Sequence, residues 1–348
     1  MTYVRNAWYV AAWAHECPAA RPTAVRILNE PIVVWRSAAG ALAAFEDRCV
    51  HRLAPLSLGR CEGERLRCMY HGFLYDRAGR VVEVPGQEGR GGSLRVRTYP
   101  VVERHGWLWV WMGTESAADE GLIPAVIGMD HPDYICGHGQ LDYDAEARFV
   151  CDNLLDLSHV SFLHPESADA NENWARQRPE VTAYERGVRI EQWVRGERWY
   201  GSAGADAAER VDVYSSYDFF IPGVFLMTTD AYPLGTADAL NGQPPDLDST
   251  VKKFVAQQAI TPLTEKTARS FYIMAAHRSH GGADRRDVTM AVIPKIFAED
   301  KTMIEAQQRI IDATPGWRFV ATTADQGATL FHRLVEKLSR QESGAVNT

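Results

Sequence analysis

Two short segments in the first quarter of the chain each offer one thiol and one imidazole. The first contains Cys49 and His51, and sixteen residues further on the second contains Cys68 and His71. Two thiolates and two imidazoles suit a two-iron, two-sulfur cluster in which one iron binds both sulfurs and the other binds both nitrogens. The same four residues could hold structural zinc, or could simply be buried. Zinc sites usually pair Cys with Cys and His with His along the chain, so the mixed segments favour the cluster.

A second set of metal-binding side chains lies in residues 145–164, which the pattern predicts to be a helix. Asn153, Asp156 and His159 are spaced three apart and would form a polar stripe on this otherwise apolar helix. His164 lies five residues beyond His159, about 140° round an ideal helix. A proline follows His164 directly and disfavours the helical conformation there, so a distorted last turn could bring the two imidazoles together.

Two imidazoles and one carboxylate on one face of an iron ion leave the opposite positions open for oxygen and substrate. The carboxylate is expected from a predicted helix at 284–312, where Asp300 lies among apolar side chains and Glu299 falls to the side. An ionised carboxylate on a buried face is costly unless a cation offsets its charge. Asp300 is therefore the candidate third ligand. The alternatives are hydrogen-bonded core histidines and an ion pair between Asp300 and a buried arginine.

The elements that would position these side chains change in character along the chain. Residues 1–115 contain short apolar runs with β character between Gly and polar turns, which predicts a small antiparallel β domain. Residues 116–348 predict an α+β domain with an antiparallel sheet covered by helices. Its long strands are predicted at 180–230 and 250–278, and its later helices at 284–312 and 324–341.

Composition excludes several classes of partner. Of the 348 residues 46% are hydrophobic and 24% charged, as in ordinary globular proteins, and the net charge of -8 disfavours nucleic acid and anionic membranes. No apolar run is long enough to span a bilayer, and the N-terminus lacks the apolar core of a signal peptide. Six cysteines are too few for a disulfide framework, which favours metal-binding thiols. We expect a cytoplasmic protein that binds neither membrane nor nucleic acid.

The two Cys/His segments resemble a known family. C-V-H-R-L-A-P-L-S and C-M-Y-H-G-F are similar to the cluster-binding loops of Rieske proteins. The opening R-N-A-W-Y-V-A-A and the run P-V-V-E-R at 100–104 resemble the oxygenase components of bacterial Rieske non-haem iron monooxygenases. Among these are the O-demethylases for vanillate and dicamba and the toluenesulfonate methyl-monooxygenases. The resemblance is dense in the first 115 residues, patchy in the substrate domain and clear again near Asp300.

For the first domain, the resemblance implies an all-β Rieske fold with a [2Fe-2S] cluster. Cys49 and Cys68 would bind one iron of the cluster, and His51 and His71 would bind the other. For the second domain, it implies a helix-grip (START-like) catalytic fold with an antiparallel sheet.

In that catalytic domain, the resemblance implies a site for mononuclear Fe(II). His159, His164 and Asp300 fall where the family has its iron ligands. Asp156 falls where the family has a carboxylate that links the two metal centres, and Asn153 matches a position close to the iron.

The resemblance also implies an assembly and redox partners. The family forms head-to-tail rings, so we expect a homotrimer in which His71 of one chain approaches His159 of the next through Asp156. The Asp156 carboxylate would accept a hydrogen bond from each imidazole. The chain has no G-x-G-x-x-G motif after a strand, so electrons from NAD(P)H are expected through a reductase, a ferredoxin, or both.

With O2 as co-substrate, the implied reaction is hydroxylation or oxidative O- or N-dealkylation of a small aromatic substrate. Alignment with the family places Met227, Gln258 and Ala291 in the substrate pocket, where they would make it less polar and wider. These positions favour a neutral, bulky substituted aromatic compound. A small aromatic acid, such as a methoxybenzoate or a sulfonate, is the alternative substrate.

Two other classes of protein would explain part of the sequence. A non-catalytic Rieske electron carrier accounts for residues 1–115 but leaves the pattern at 153–164 and Asp300 unexplained. A zinc-stabilised binding protein with an apolar cavity would need the Cys2His2 set to surround a single ion. Iron and acid-labile sulfide in the purified protein would exclude the zinc protein, and the amount of iron would separate the carrier from the oxygenase.

Overall fold

The computed structural model of the protein describes residues 3–87, 92–168, 172–176, 178–198, 210–246 and 252–345. The chain divides into two compact units. The N-terminal unit comprises Arg5–Ile123 and Thr261–Glu265, and the C-terminal unit comprises Met1–Val4, Pro124–Ile260 and Lys266–Thr348. The domain boundary between residues 115 and 116 stays a prediction.

The described part of the N-terminal unit is built from short strands and single turns of 3-10 helix, which fits the predicted all-β domain. The strands form three sheets, in the orders β1-β11-β10, β2-β3-β4-β9 and β5-β6-β7-β8. The strands are β1 (Trp8–Trp13), β2 (Thr23–Ile27), β3 (Glu30–Arg36), β4 (Leu42–Glu46), β5 (Arg60–Glu62), β6 (Arg65–Arg67), β7 (Leu74–Asp76), β8 (Val81–Glu83), β9 (Thr98–Tyr99), β10 (Val101–Arg104) and β11 (Trp107–Trp111). The turns are Ala14–Glu16, Leu56–Leu58, Glu115–Ala117 and Glu120–Leu122.

Aromatic side chains form the core between two of these sheets. Trp35 packs edge-on against Phe45 with ring centroids 5.8 Å apart, and Phe45 packs against Tyr75 at 6.5 Å. Burying a side chain of this size stabilises the folded state by roughly 1.5–3 kcal/mol. Cys49 and Cys68 belong to the same buried cluster. The core therefore anchors both predicted cluster-binding loops.

The C-terminal unit is organised around a seven-stranded sheet in the order β12-β18-β17-β16-β15-β14-β13. The pairs β12–β18, β13–β14, β14–β15, β15–β16 and β16–β17 are antiparallel, so the predicted antiparallel sheet is confirmed. The strands are β12 (Tyr134–Tyr143), β13 (Glu180–Tyr184), β14 (Gly187–Arg198), β15 (Arg210–Phe220), β16 (Val224–Pro233), β17 (Lys252–Pro262) and β18 (Ala268–His277).

One long helix lies across this sheet and packs on β12 and β18. Gly137 permits the close approach, because a Cβ atom there would lie 2.3 Å from Cγ of Met290. The helices are α1 (Ala147–Leu155), α2 (Val160–Leu163), α3 (Asn173–Arg176), α4 (Thr236–Ala239), α5 (Gly282–Ala313) and α6 (Gln326–Ala345), with a 3-10 turn at Leu157–His159. The two later helices match their predicted positions within a few residues. No helix in the described ranges is long and apolar enough to cross a membrane.

The single helix predicted at 145–164 is wrong, because the chain leaves the helical conformation at Asp156. Asp156 has φ -128° and ψ 97°, and its carboxylate accepts a hydrogen bond from the backbone N of Ser158 at 2.9 Å. An Asp side chain that satisfies a free backbone N–H in this way starts a new helical turn. Asn153 therefore lies on α1, His159 in the 3-10 turn, and His164 at the end of α2.

Candidate metal centres

The two Cys/His loops follow β4 and β6, and each is closed by hydrogen bonds at its cysteine. In the first loop, the backbone N of Cys49 bonds to the carbonyl of Ala54 at 2.8 Å. In the second, the backbone N of Cys68 bonds to the carbonyl of Phe73 at 2.9 Å. Gly72 turns the second loop with φ +76°, and a Cβ atom there would lie 2.8 Å from the ring of Pro85.

These loops bury their thiols and expose their imidazoles. Cys49 is 2% exposed and Cys68 is 1% exposed, whereas His51 and His71 are exposed. The two imidazole rings pack edge to face, with centroids 4.5 Å apart, and His51 stacks flat on Phe73 at 5.0 Å. The fold thus brings together all four residues that the sequence singled out, with nitrogen ligands outside and sulfur ligands inside.

The four donors form two pairs by type, two buried thiols and two exposed imidazoles. A [2Fe-2S] cluster divides four protein ligands into two pairs, one pair for each iron. The pairing of buried thiols and exposed imidazoles therefore supports the Rieske-type cluster.

Tyr75 adds a hydrogen bond to the sulfur side of this site. Its hydroxyl oxygen lies 3.1 Å from Cys49 Sγ and accepts a hydrogen bond from the backbone N of Val50 at 3.1 Å. Burial raises the pKa of Tyr75, so the phenol keeps its proton and can donate a hydrogen bond to a thiolate. Burial likewise raises the pKa of the Cys68 thiol, so a thiolate in this position needs a cation beside it.

The second centre is assembled from three separate elements of the C-terminal unit. His159 Nε2 lies 3.5 Å and His164 Nε2 lies 3.1 Å from the same oxygen of Asp300 on α5. In the described part of the chain, these three residues are the one group of three or more His, Cys, Asp or Glu side chains whose ligand atoms lie within 4.8 Å of one another. Two nitrogens and a carboxylate oxygen around one point form the donor set of a mononuclear iron site.

Asn153 also points at this donor set. Its amide Nδ2 donates a hydrogen bond to Asp300 Oδ1 at 3.0 Å and lies 3.3 Å from His159 Nε2. The structure therefore places Asn153 where the sequence predicted, in contact with two of the three candidate ligands.

The outer nitrogens of the two imidazoles have different partners. His159 Nδ1 lies 2.6 Å from the backbone carbonyl of Asp156, and His164 Nδ1 lies 2.8 Å from the carboxylate of Glu299. Because carbonyl and carboxylate oxygens can only accept, each Nδ1 carries a proton, and each Nε2 would be the atom that binds a metal ion in the site. The sequence predicted that the Asp156 carboxylate would accept this bond in the assembled ring. In the single chain, His159 bonds to the backbone carbonyl, and the carboxylate accepts a hydrogen bond from Ser158 N.

The two neighbouring imidazoles keep the Asp300 carboxylate ionised in spite of its burial. Burial alone would raise the pKa of Asp300, but hydrogen bonds from His159 and His164 lower it to about 2. For His164, burial lowers the pKa, but the carboxylates of Asp300 and Glu299 outweigh burial and raise it. The Asp300 and Glu299 carboxylates thus favour a positive charge beside them, which fits a site that holds a cation.

A cavity of about 200 Å³ adjoins the three ligand atoms. Its wall is mostly apolar, with side chains such as Leu157, Val160, Phe225, Phe254, Ile293 and Phe297. Its polar groups include Gln258, Thr229 and three charged residues that the sequence did not single out, Glu197, Arg198 and Arg285. A shaped apolar cavity beside a metal site is suited to bind an organic molecule and exclude water.

Two of the three predicted pocket residues line this cavity. Met227 and Gln258 lie on the neighbouring strands β16 and β17, and the Gln258 oxygen accepts a hydrogen bond from Ser270 Oγ at 2.8 Å. The prediction for Ala291 is wrong, since it is exposed and lies outside the cavity wall. Ala291 lies two residues before Ile293, about 200° round α5, so it faces the opposite side of the helix.

Comparison with known proteins places both centres in one family. Residues 7–100 match the Rieske [2Fe-2S] domain, and residues 143–341 match the vanillate O-demethylase oxygenase C-terminal domain. The chain belongs to the Rieske non-haem iron oxygenases of the vanillate O-demethylase type. Its cofactors are accordingly a [2Fe-2S] cluster and a mononuclear iron, with O2 as co-substrate.

Individual relatives agree with this assignment over nearly the whole chain. The chain is 32% identical over 346 residues to the iron-sulfur subunit of a putative toluene-4-sulfonate monooxygenase system from Comamonas testosteroni, covering 98% of each protein. It is 31% identical to a vanillate O-demethylase oxygenase subunit from Pseudomonas sp. strain HR199, covering 99% of this chain and 97% of the relative. Among solved structures, dicamba monooxygenase bound to dicamba matches with a TM-score of 0.83 and 28% identity, over 99% of this chain and 100% of the other.

Proposed function

We propose that this chain is the terminal oxygenase of a multicomponent system that hydroxylates, or oxidatively O- or N-dealkylates, a substituted aromatic compound. The proposal rests above all on the convergence of His159, His164 and Asp300 beside a largely apolar cavity. Electrons from NAD(P)H would arrive through a reductase, with or without a ferredoxin. The cavity and the second donor set separate the protein from a pure electron carrier, which needs neither of them.

The reaction balances with one O2, two electrons and two protons per substrate. One oxygen atom enters a C–H bond of the substrate, and the other leaves as water. When the hydroxylated carbon is bonded to oxygen or nitrogen, that C–O or C–N bond then breaks and an aldehyde is released. When bound, the mononuclear iron supplies the site at which O2 is reduced.

The residues of the chain hold, orient and shield that site. His159, His164 and Asp300 would bind the iron, and Asn153 would orient the Asp300 carboxylate through its amide. The cavity wall would hold the substrate beside the iron and exclude water. In the N-terminal unit, we propose that Cys49 and Cys68 bind one cluster iron and that the exposed His51 and His71 bind the other.

For the assembly, we propose a cytoplasmic homotrimer in which electrons cross between subunits. The Asp156 carboxylate is partly exposed, and in the single chain it accepts a hydrogen bond from Ser158 N. A carboxylate accepts several hydrogen bonds at once, so Asp156 can also receive one from His71 of a neighbouring subunit. The backbone carbonyl of Asp156, which already accepts a hydrogen bond from His159, would complete the electron path to the mononuclear iron.

The cavity supports a substrate with a single substituted ring. Its volume of about 200 Å³ is below the range of about 300–1,000 Å³ for pockets that bind drug-sized molecules. Met227 in the wall favours a neutral ring, as the sequence predicted. A second candidate, an aromatic acid, is favoured by Arg285, which is 8% exposed, lines the cavity and lies with its guanidinium 5.7 Å from the Phe254 ring centroid. Arginine pairs well with carboxylates and sulfonates.

A matched substrate panel tests the reaction and decides between the two classes. Aromatic methyl ethers and N-methylanilines, each with a neutral or an acidic ring substituent, would be supplied with a surrogate reductase, NADH and O2. We expect formaldehyde and the dealkylated product to form together from at least one member. A purified protein that accepts electrons but releases no oxygenated product, and that holds only cluster iron, would contradict the proposal.

Arg285→Gln separates the two substrate classes. If the substrate is an acid, loss of one charge-assisted hydrogen bond of about 1.5–3 kcal/mol should lower kcat/KM for acids at least about tenfold. The neutral members of each pair should be unaffected. If kcat/KM fell equally for acidic and neutral substrates, the neutral substrate would be favoured and Arg285 would have a structural role.

A further inference from the structure

We propose that Glu299 is a positioning residue for the mononuclear iron, because it fixes the orientation and the basicity of the His164 imidazole. Neither residue composition nor helix projection pointed to Glu299, which was expected to fall to the side of the buried stripe. The inference rests on the proposed role of His159, His164 and Asp300 as iron ligands.

Two successive carboxylates of α5 contact opposite edges of one imidazole ring. Asp300 lies 3.1 Å from His164 Nε2, the nitrogen that faces the candidate metal position. Glu299 lies 2.8 Å from His164 Nδ1, the nitrogen on the other edge. Since neighbouring helical residues point about 100° apart, one helix turn can reach both edges of a ring placed beside it. The orientation of His164 is thus set by the same helix that supplies the third ligand.

Ser167 holds Glu299 in this position. Its hydroxyl donates a hydrogen bond of 2.5 Å to Oε2, the same Glu299 oxygen that accepts from His164. Ser167 lies three residues after His164, so the segment that follows α2 contacts Glu299 at two points. His164 is 2% exposed, and the Glu299 side chain is 28% exposed. The ring is therefore enclosed, while its carboxylate partner lies near the surface.

The two imidazole ligands are made chemically unequal by this arrangement. His159 donates to the neutral carbonyl of Asp156, whereas His164 donates to the ionised carboxylate of Glu299. A charged acceptor makes a stronger hydrogen bond and raises the basicity of the imidazole more than a neutral acceptor does. His164 is therefore the stronger donor to the metal, and His159 the weaker.

The test measures Fe(II) binding in protein whose cluster remains intact. Equilibrium competition with a chromogenic Fe(II) chelator gives the dissociation constant, and iron in excess of acid-labile sulfide counts the mononuclear site. Glu299→Ala should weaken Fe(II) binding by about 10- to 100-fold, as loss of such a partner typically does. Glu299→Gln keeps a hydrogen-bond acceptor but loses the charge, so its loss should be smaller. Ser167→Ala should weaken binding least of the three.

Glu166→Gln is the matched control, since Glu166 is exposed, adjoins Ser167 and undergoes the same loss of charge. It should bind Fe(II) like the wild type. At saturating Fe(II), Glu299→Gln should lower kcat while KM for the aromatic substrate stays the same.

The outcomes separate this inference from the proposed function. If Glu299→Gln and Glu299→Ala both bind Fe(II) within twofold of the control, the inference is wrong and the iron site stands. If the wild type holds no iron beyond the cluster, or His164→Ala binds Fe(II) as the wild type does, the proposed site itself is wrong. Should Glu299→Ala fail to fold, the nearly isosteric Glu299→Gln decides the question.

Discussion

The two metal centres present their histidines to opposite surroundings. In the N-terminal unit, His51 and His71 are exposed while the cysteines behind them are buried. In the C-terminal unit, His164 is 2% exposed and Asp300 is 6% exposed, and both line a cavity. A centre that receives and passes on electrons must be accessible to another protein, whereas a centre that reduces O2 beside a substrate must limit water. The difference in exposure therefore matches the division of labour that the family assigns to the two centres.

The two centres also differ in how the chain builds them. Each loop of the cluster supplies its Cys and His from one short segment, closed by hydrogen bonds at the cysteine. The mononuclear site takes His159 and His164 from one broken helical region and Asp300 from α5. Short loops can form the first centre locally, but the second exists only when the sheet and α5 have packed. Damage to one centre should therefore spare the other.

The largest effect is expected from Cys68→Ala. A methyl group cannot bind iron, so the visible chromophore and all NADH-driven turnover should be lost while the C-terminal unit stays folded. Absorbance, circular dichroism and product formation measure these effects. Cys61→Ala is the control, because Cys61 lies in the same unit outside the two loops, and it should keep its colour. An unchanged spectrum in Cys68→Ala would exclude the cluster assignment.

A smaller but still large effect is expected from Asp156→Asn, which probes the connection between the centres. Asn can still cap Ser158 N, so both metal sites should remain loaded and the proposed trimer should still assemble. Without the charge, electron delivery from cluster to mononuclear iron should fall by orders of magnitude. Single-turnover re-oxidation of the reduced cluster, with O2 and substrate, measures that rate.

The control for this variant is Asp144→Asn, at an exposed position ahead of α1. If Asp156 only caps a helical turn, its substitution should change stability by less than about 0.5 kcal/mol and leave turnover intact. Re-oxidation at the wild-type rate would end the hypothesis of a bridge between subunits.

The smallest effect is expected from Tyr75→Phe, which removes the hydrogen bond to Cys49 Sγ. A donor to the thiolate stabilises the more negative, reduced cluster, so the reduction potential should fall. A difference of about 1 kcal/mol corresponds to roughly 40 mV for a one-electron couple. Potentiometric titration measures it, with Tyr99→Phe, whose phenol bonds to Glu30, as the control. A potential unchanged or raised in Tyr75→Phe would mean that Tyr75 does not donate to the cluster.

The sequence predicted what depends on short spacing. Cys49, His51, Cys68 and His71 lie in two tight loops, so residue type and spacing alone indicated a shared site. Asp300 was predicted from a regular periodicity, because α5 is long and its buried stripe is clear.

What the sequence missed depends on competition between contacts. The helix pattern at 145–164 did not show that the Asp156 side chain would cap Ser158 and end α1. Periodicity placed Glu299 beside the stripe but could not show that His164 would come within its reach. Ala291 was assigned by alignment alone, whereas its position on α5 depends on which side of the helix the sheet covers. Nothing in the sequence indicated that Arg285 would line the cavity, because the partners of a buried arginine depend on tertiary packing, which residue spacing does not reveal.

The central claim is that one chain carries two separate iron centres, and its most direct test is a count of iron and acid-labile sulfide. The wild type should hold about three irons and two sulfides per chain, two irons in the cluster and one at the triad. His159→Ala should keep its red-brown colour and both sulfides but lose about one iron together with product formation. A wild type with only two irons, or a His159→Ala variant that loses sulfide along with iron, would contradict two independent centres.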